Sequence, residues 1–355
     1  MNNHLPNPSP GPRLYELDAL RGLAAVYVML SHYLHDCARM YDGNAVTLLT
    51  LPFSGQYAVH LFFVISGFVI FMTLQRCRNT ADFILNRVGR LFPAYLIAVV
   101  GTTLVSMWLS EYDIKPPVTL TQFAANLTMM HSFLGDIPAI DGVYWSLMVE
   151  LAFYFWMGLL FAGGLLRRIE LVAWLWLVVA LGAYAIQNAT DTRWSEPVRA
   201  AGLFVWSPLF FSGCMFYRIS NGAATAKTHL LIIACAITYV LVLVAPTLVL
   251  GKRDAIAAVA VYLVFYLFVY GRLRWLAVRP LVFLGQISYA LYILHSRCGQ
   301  ILLAILKIKL NAPLWVALSL TIVVAVLLAS CLTFLVERPA NALIRKWRKQ
   351  RTLRN

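Results

Sequence analysis

The chain reads as an all-α, polytopic membrane bundle of about ten transmembrane helices, with both termini cytoplasmic. Three observations carry that expectation. The composition is 61% hydrophobic and only 12% charged over 355 residues, with a mean hydropathy of +0.74, far beyond an ordinary soluble domain. Apolar runs near the roughly 17–25 residues that a spanning helix needs recur along the whole chain. Between them arginine and lysine fall unevenly: an inside N-terminus puts roughly 19 on cytoplasmic segments and about 8 outside, the bias that sets orientation in a membrane.

The opening sixteen residues are polar and Pro-rich, without the basic-then-apolar order of a signal peptide, so they read as a cytoplasmic tail and the first span is expected to stay in the mature protein. Spans are expected at 17–34, 57–74, 89–109, 143–161, 171–187, 200–217, 230–249, 256–270, 281–303 and 314–336, the eighth being short. Residues 17–337 thus form one membrane-embedded domain, and 338–355 a basic cytoplasmic tail. With no soluble catalytic domain in view, any chemistry is expected inside the bundle. The longest outer connection, 110–142, carries Lys-Pro-Pro and an amphipathic stretch at 119–130 that reads as a surface or re-entrant helix, a candidate lid for an acceptor.

A net charge of +14 would suggest nucleic acid in a soluble chain; here it follows from membrane topology and attraction to anionic lipid, so the bilayer is the expected partner and nucleic acid is not. The six cysteines are scattered with no CxxC pair, which predicts small buried apolar residues and neither a metal site nor a disulfide framework. No motif speaks to oligomeric state.

Charges inside apolar runs are costly and mark functional surfaces. In the first span Asp18, Arg21 and His32 fall on one side; Arg21 and His32 are eleven residues apart, hence ~16 Å along the axis and within about 20° of one face. The fourth span begins Tyr144-Trp145-Ser146 and reaches Glu150 about 10 Å below the outer boundary, a depth similar to that of His32. Equal depth predicts that the Glu150 carboxylate orients His32 as a general base, with Ser146 holding Glu150 from one turn away; Asp18 stands as the alternative carboxylate. At the inner face Arg76 and Arg78 follow the second span, and Arg87 and Arg90 share one side of the third, a pair able to grip phosphate. The small pair Ser66 and Gly67 in the second span permits close helix approach. In the ninth, Ser288, Tyr292 and His295 form a polar stripe, and Glu337 at the end of the last span is expected to pair with an inner arginine.

Taken together, Leu17-Asp18-Ala19-Leu20-Arg21-Gly22 with His32, the Phe62–Phe68 run, Arg87 and Arg90 with Pro93, Tyr144-Trp145-Ser146-Leu147 through Glu150, and Ile287–His295 resemble the acyltransferase-3 family of integral membrane acyltransferases. The matching pieces span nearly the whole chain in order. The resemblance implies transfer of an acyl group, commonly acetyl, from cytoplasmic acyl-CoA (acetyl-CoA as co-substrate) to a glycan or lipid-linked glycan hydroxyl at the outer face of a bacterial inner membrane. It implies His32 as the catalytic residue with Arg21 as its companion, and Arg87 and Arg90 as the pair tied to CoA, with Arg76 and Arg78 beside them. Trp145, Ser146, Tyr292 and His295 stand as acceptor-binding candidates. The absence of a fused SGNH domain points to the stand-alone type, like exopolysaccharide or O-antigen acetylases. The rival from another class is a proton-coupled transporter or flippase, which also uses intramembrane His, Arg and Glu, although no pair of related halves with interrupted helices is evident.

Overall fold

The computed structural model describes residues 14–40, 51–110, 117–135, 137–190, 195–244 and 252–354. Among them every regular element is helical, and a helix covers each of the ten apolar segments, the sixth in two pieces. Six of the helical stretches are long and apolar enough to cross a membrane, and two shorter apolar helices accompany them.

Helix α1 (Tyr15–Met40) opens with Glu16 and Asp18, acids that suit the positive end of the helix dipole. Helix α2 (Gln56–Leu74) is largely apolar, with His60 and Ser66 inside it, and buried along most of its length. Helix α3 (Thr80–Ser110) starts where the Asn79 side chain accepts the Asp82 N–H at 2.9 Å, and it contains Pro93. The expected amphipathic helix is present as α4 (Leu120–Leu127), capped by Thr119. Its buried Asn126 accepts the Ile140 N–H at 3.0 Å and donates to the Pro138 carbonyl, anchoring the loop that leads through a 3₁₀ turn into α5 (Trp145–Ala162). Helix α6 (Ile169–Thr190) follows.

The sixth expected span is not one helix. It divides into α7 (Glu196–Gly202) and α8 (Ser207–Ser220), with Leu203 between them at a φ of 51°. Pro208 explains the restart, since proline has no N–H to give and fits only the first turn of a helix. Two indoles close the end of α7: Trp156 donates to the Ala201 carbonyl and Trp176 to that of Gly202. At 14 residues α8 is ~21 Å long, short of a ~30 Å hydrocarbon layer, and Ser207 to Phe216 are all buried; it is a core helix. Helices α9 (Ala226–Tyr239), closed at its start by a Thr225/Thr228 capping box, and α10 (Lys252–Val269) pack on its outside. The far part of the seventh expected span, 245–249, lies outside the described residues.

Helix α11 (Arg279–Ile308) lies parallel to α1 over most of its length. The pair is this close because both lack a side chain at the crossing: a Cβ on Gly285 would collide with the Asp18 carbonyl, and one on Gly22 with the Gly285 backbone. The expected close approach at Gly67 is also present, with Gly67 of α2 against Phe210 and Gly213 of α8. Helix α12 (Leu314–Leu332) runs through a π turn at Thr333–Glu337 into α13 (Arg338–Arg354). Arg338 N–H reaches back five residues to the Thr333 carbonyl, and Pro339, without an N–H, cannot restore the ordinary spacing.

Candidate active site

Three polar regions follow one another along the α1–α11 axis. The first is a pocket of about 350 Å³ at the basic end, walled by Arg76, Asn86, Arg87 and Arg90 and closed by Asn341 and Arg345 of α13. Arg87 is 9% exposed; its Nη2 donates to Thr73 Oγ1 at 3.4 Å, while Nε and Nη1 have no hydrogen-bond partner. The guanidinium lies over the rings of Phe83 and Tyr154, at 5.9 and 5.7 Å from their centroids. Arg76 borders the pocket and is exposed; Arg78, also exposed, does not line it.

The second region is a narrow cavity of about 60 Å³ in the middle of the bundle, lined by Arg21, Ser66, Arg90, Ser146, Glu150, Ser288, Tyr289 and Tyr292 among apolar neighbours. Arg90 borders both this cavity and the basic pocket. Glu150 Oε1 accepts hydrogen bonds from Ser66 Oγ and, at 2.5 Å, from the Tyr154 hydroxyl. Its charge acts on Arg21, Arg87 and Arg90, and Glu337 acts on Arg21 and Arg90. Glu337 is expected to pair with an inner arginine; its charge does bear on Arg21 and Arg90, but its Oε2 has no hydrogen-bond partner.

The third region holds the histidines. His32 and His295 meet edge to face, with ring centroids 5.2 Å apart. The carboxylates whose charge bears on His32 are Asp141 and Asp36. Asp141 is fully buried, accepting the Val143 N–H at 3.2 Å on one oxygen and the Arg297 N–H at 2.8 Å on the other, so it ties the start of α5 to α11 beside His295. Burial pushes the Asp141 carboxyl above its ordinary range, and these N–H donors pull against that.

Several expectations change. His32 and Glu150 do not share a site: Glu150 faces α2 and the arginines, whereas His32 faces α11 and does not line the central cavity. Asp18 is no partner for His32 either, lying fourteen residues or ~21 Å down the same helix, where its charge bears on Arg21. Ser146 does not hold Glu150; it bonds the Tyr292 hydroxyl at 2.7 Å and the Val143 carbonyl. A residue count along a span speaks to height alone, and each helix's rotation decides which neighbour a side chain meets. Trp145 sits among Phe63 and Trp206, off the cavity wall. The Ser288–Tyr292–His295 stripe is present and buried, its first two members on the cavity. The sequence reading missed Ser66 as a donor to Glu150, Tyr154, and the α13 residues of the basic pocket. The four-residue spacing of Glu150 and Tyr154 was the one signal available for any of them.

Comparison with known proteins agrees with this architecture. Residues 14–336 match the Acyltransferase domain family, acyltransferase type 3. The chain is similar to the acyltransferase MdmB of Streptomyces mycarofaciens, at 25% identity over 49% of this chain and 45% of that protein. It is similar at 24% identity to ORF330 of Acidianus two-tailed virus, provisionally named an acetyltransferase, over 82% and 84% of the two chains. Nodulation protein 10 of Rhizobium leguminosarum bv. viciae is 29% identical over 39% of this chain and 41% of its own. The matched stretch spans less than half the length of the first and third of these relatives. No solved structure matches the chain. A family match over residues 14–336, on an all-helical bundle with apolar spans, makes this chain a member of the acyltransferase-3 family of membrane proteins.

Proposed function

We propose that the chain is a membrane O-acyltransferase that moves an acyl group, acetyl in the simplest case, from cytoplasmic acyl-CoA to a hydroxyl of a cell-surface or exported glycan across a bacterial inner membrane. The observation that carries the reading is the buried Arg87 fork, whose Nε and Nη1 lack partners beside a pocket bordered by three further arginines. Buried donors without partners are costly, and phosphate oxygens are their best-matched acceptors. The nucleotide end of acyl-CoA fits this donor set, with Arg76, Arg87, Arg90 and Arg345 as its holders.

From there the pantetheine arm extends past Arg90 along the central cavity. To reach His32 it parts Tyr292 from Ser146, whose mutual hydrogen bond closes the cavity on that side. His32, half-buried at the opposite end, takes the proton of the acceptor hydroxyl. The oxygen then bonds to the thioester carbonyl carbon, the C–S bond breaks, and the CoA thiolate leaves. Arg21 and Arg90 offset the charge of Glu150 and Glu337 and keep the passage cationic toward the donor.

The test is transfer by purified protein from radiolabelled acetyl-CoA to candidate glycans. Label in the glycan, lost in His32→Ala, is the expected result. Label crossing vesicle membranes as unmodified substrate would replace this reading with a transporter.

A further inference from the structure

A neutral imidazole has one N–H and one bare nitrogen, and its neighbours decide which is which. At His295 those neighbours are main-chain carbonyls: Nδ1 lies 2.8 Å from the Tyr292 oxygen and 3.1 Å from the Leu291 oxygen. A carbonyl only accepts, so Nδ1 carries the proton and Nε2 is a bare acceptor. The residue is fully buried, and Nε2 meets no donor. The segment that carries it is pinned on two sides, by the Tyr33 hydroxyl donating to the His295 carbonyl at 3.0 Å and by Asp141 accepting the Arg297 N–H. Against this fixed ring stands the edge of His32.

We propose that His295 Nε2 is the positioning acceptor for His32. It takes a hydrogen bond from one ring N–H of His32 as the site closes on substrate, which leaves the other ring nitrogen of His32 unprotonated and turned toward the acceptor hydroxyl. The proposal rests on His32 being the base. When His32 takes the hydroxyl proton, its N–H toward His295 shortens and spreads the new positive charge; the departing CoA thiolate then recovers that proton. His295 itself neither gains nor loses one. A carboxylate could serve the same end, yet an ionised group at this fully buried position would be far more costly than a neutral imidazole. The other charged or titratable groups that bear on His32 are Asp36 and His35 of its own helix and Asp141 of the loop before α5. None of them offers a bare acceptor fixed by backbone on α11.

Two substitutions separate holding the fold from holding His32. In His295→Asn the amide N–H can stand where Nδ1–H donates to the Tyr292 carbonyl, with nothing at the place of Nε2; in His295→Gln a carbonyl oxygen reaches that place. With unchanged thermal unfolding, His295→Asn is expected to lower kcat about 100-fold with the KM for acetyl-CoA within about twofold of wild type. His295→Gln should return to within about tenfold of wild-type kcat. Wild-type kcat in His295→Asn, or equal losses in both, would overturn the proposal. Nitrogen-15 NMR of histidine-labelled wild-type protein reads the tautomer without any variant or assay. A protonated Nδ1 and bare Nε2 at His295 is the expected spectrum, and the opposite tautomer refutes the proposal. The spectrum decides even if no acyl transfer is found, which separates failure here from failure of the proposed function.

Discussion

The two ends of the α1–α11 pair are built on opposite principles. At the basic end, guanidiniums from α1 and α3 gather with carboxylates from α5 and the π turn, and Arg87 keeps two nitrogens without partners. At the histidine end, the polar groups are held by backbone: Asp141 by two N–H donors, and His295 by two carbonyls. The first arrangement suits recognition by charge, which tolerates variation in a ligand's pose. The second fixes direction, which proton transfer requires and long-range charge cannot supply. Gly22 and Gly285 let the two helices that bear both ends pack as one unit.

Substitutions can break this contrast. The largest effect is expected from His32→Ala, a loss of 10² to 10⁴ in kcat, on the order of 3–5 kcal/mol in barrier, with acetyl-CoA binding by calorimetry unchanged. Activity above a tenth of wild type would remove His32 from the chemistry. Gly285→Val should damage both ends at once, because the new side chain meets the Asp18 carbonyl; a stability loss of about 1–3 kcal/mol or more should appear in thermal unfolding. A variant as stable as wild type would show that the helix pair is looser than described.

Arg87→Ala tests the basic end alone. The KM for acetyl-CoA should rise about 10- to 100-fold, as expected for losing charge-assisted bonds to phosphate, while kcat stays within about threefold. An unchanged KM would leave Arg87 a packing residue between Phe83 and Tyr154. Glu150→Gln sharpens the boundary between the ends: because its negative charge bears on the arginines, its removal should lower the KM for acetyl-CoA about fivefold and leave the pH profile of kcat in place. A shifted profile would reunite Glu150 with His32. Ser66→Ala, which removes one donor to Glu150, should have the same sign and about a twofold effect.

The fold was legible because each apolar run announces its own helix, and Gly67 announces a crossing. What failed was rotation and continuity. Leu203 and Pro208 interrupt a segment whose hydropathy looks uninterrupted, and hydropathy carries no record of a backbone turn. The identities of Arg21, His32, Arg87, Arg90 and Glu150 as inward-facing polar residues were readable from the expense of charge in lipid. Their pairing was not. Whether Glu150 meets His32 or Ser66 depends on how α5 is turned against α1 and α2, and Arg345 enters the basic pocket because α13 packs beside α3.

The π turn before Pro339 has an unusual corollary for how this chain can vary. It is one surplus residue in the helical count, so deleting a single codon between 333 and 337 would re-form an even coil and leave the helices on either side at about the same relative rotation. A deletion that takes Glu337 itself would remove a negative charge from beside Arg21 and Arg90 without a substitution at any arginine, so chain length alone sets part of the charge at that end of the bundle.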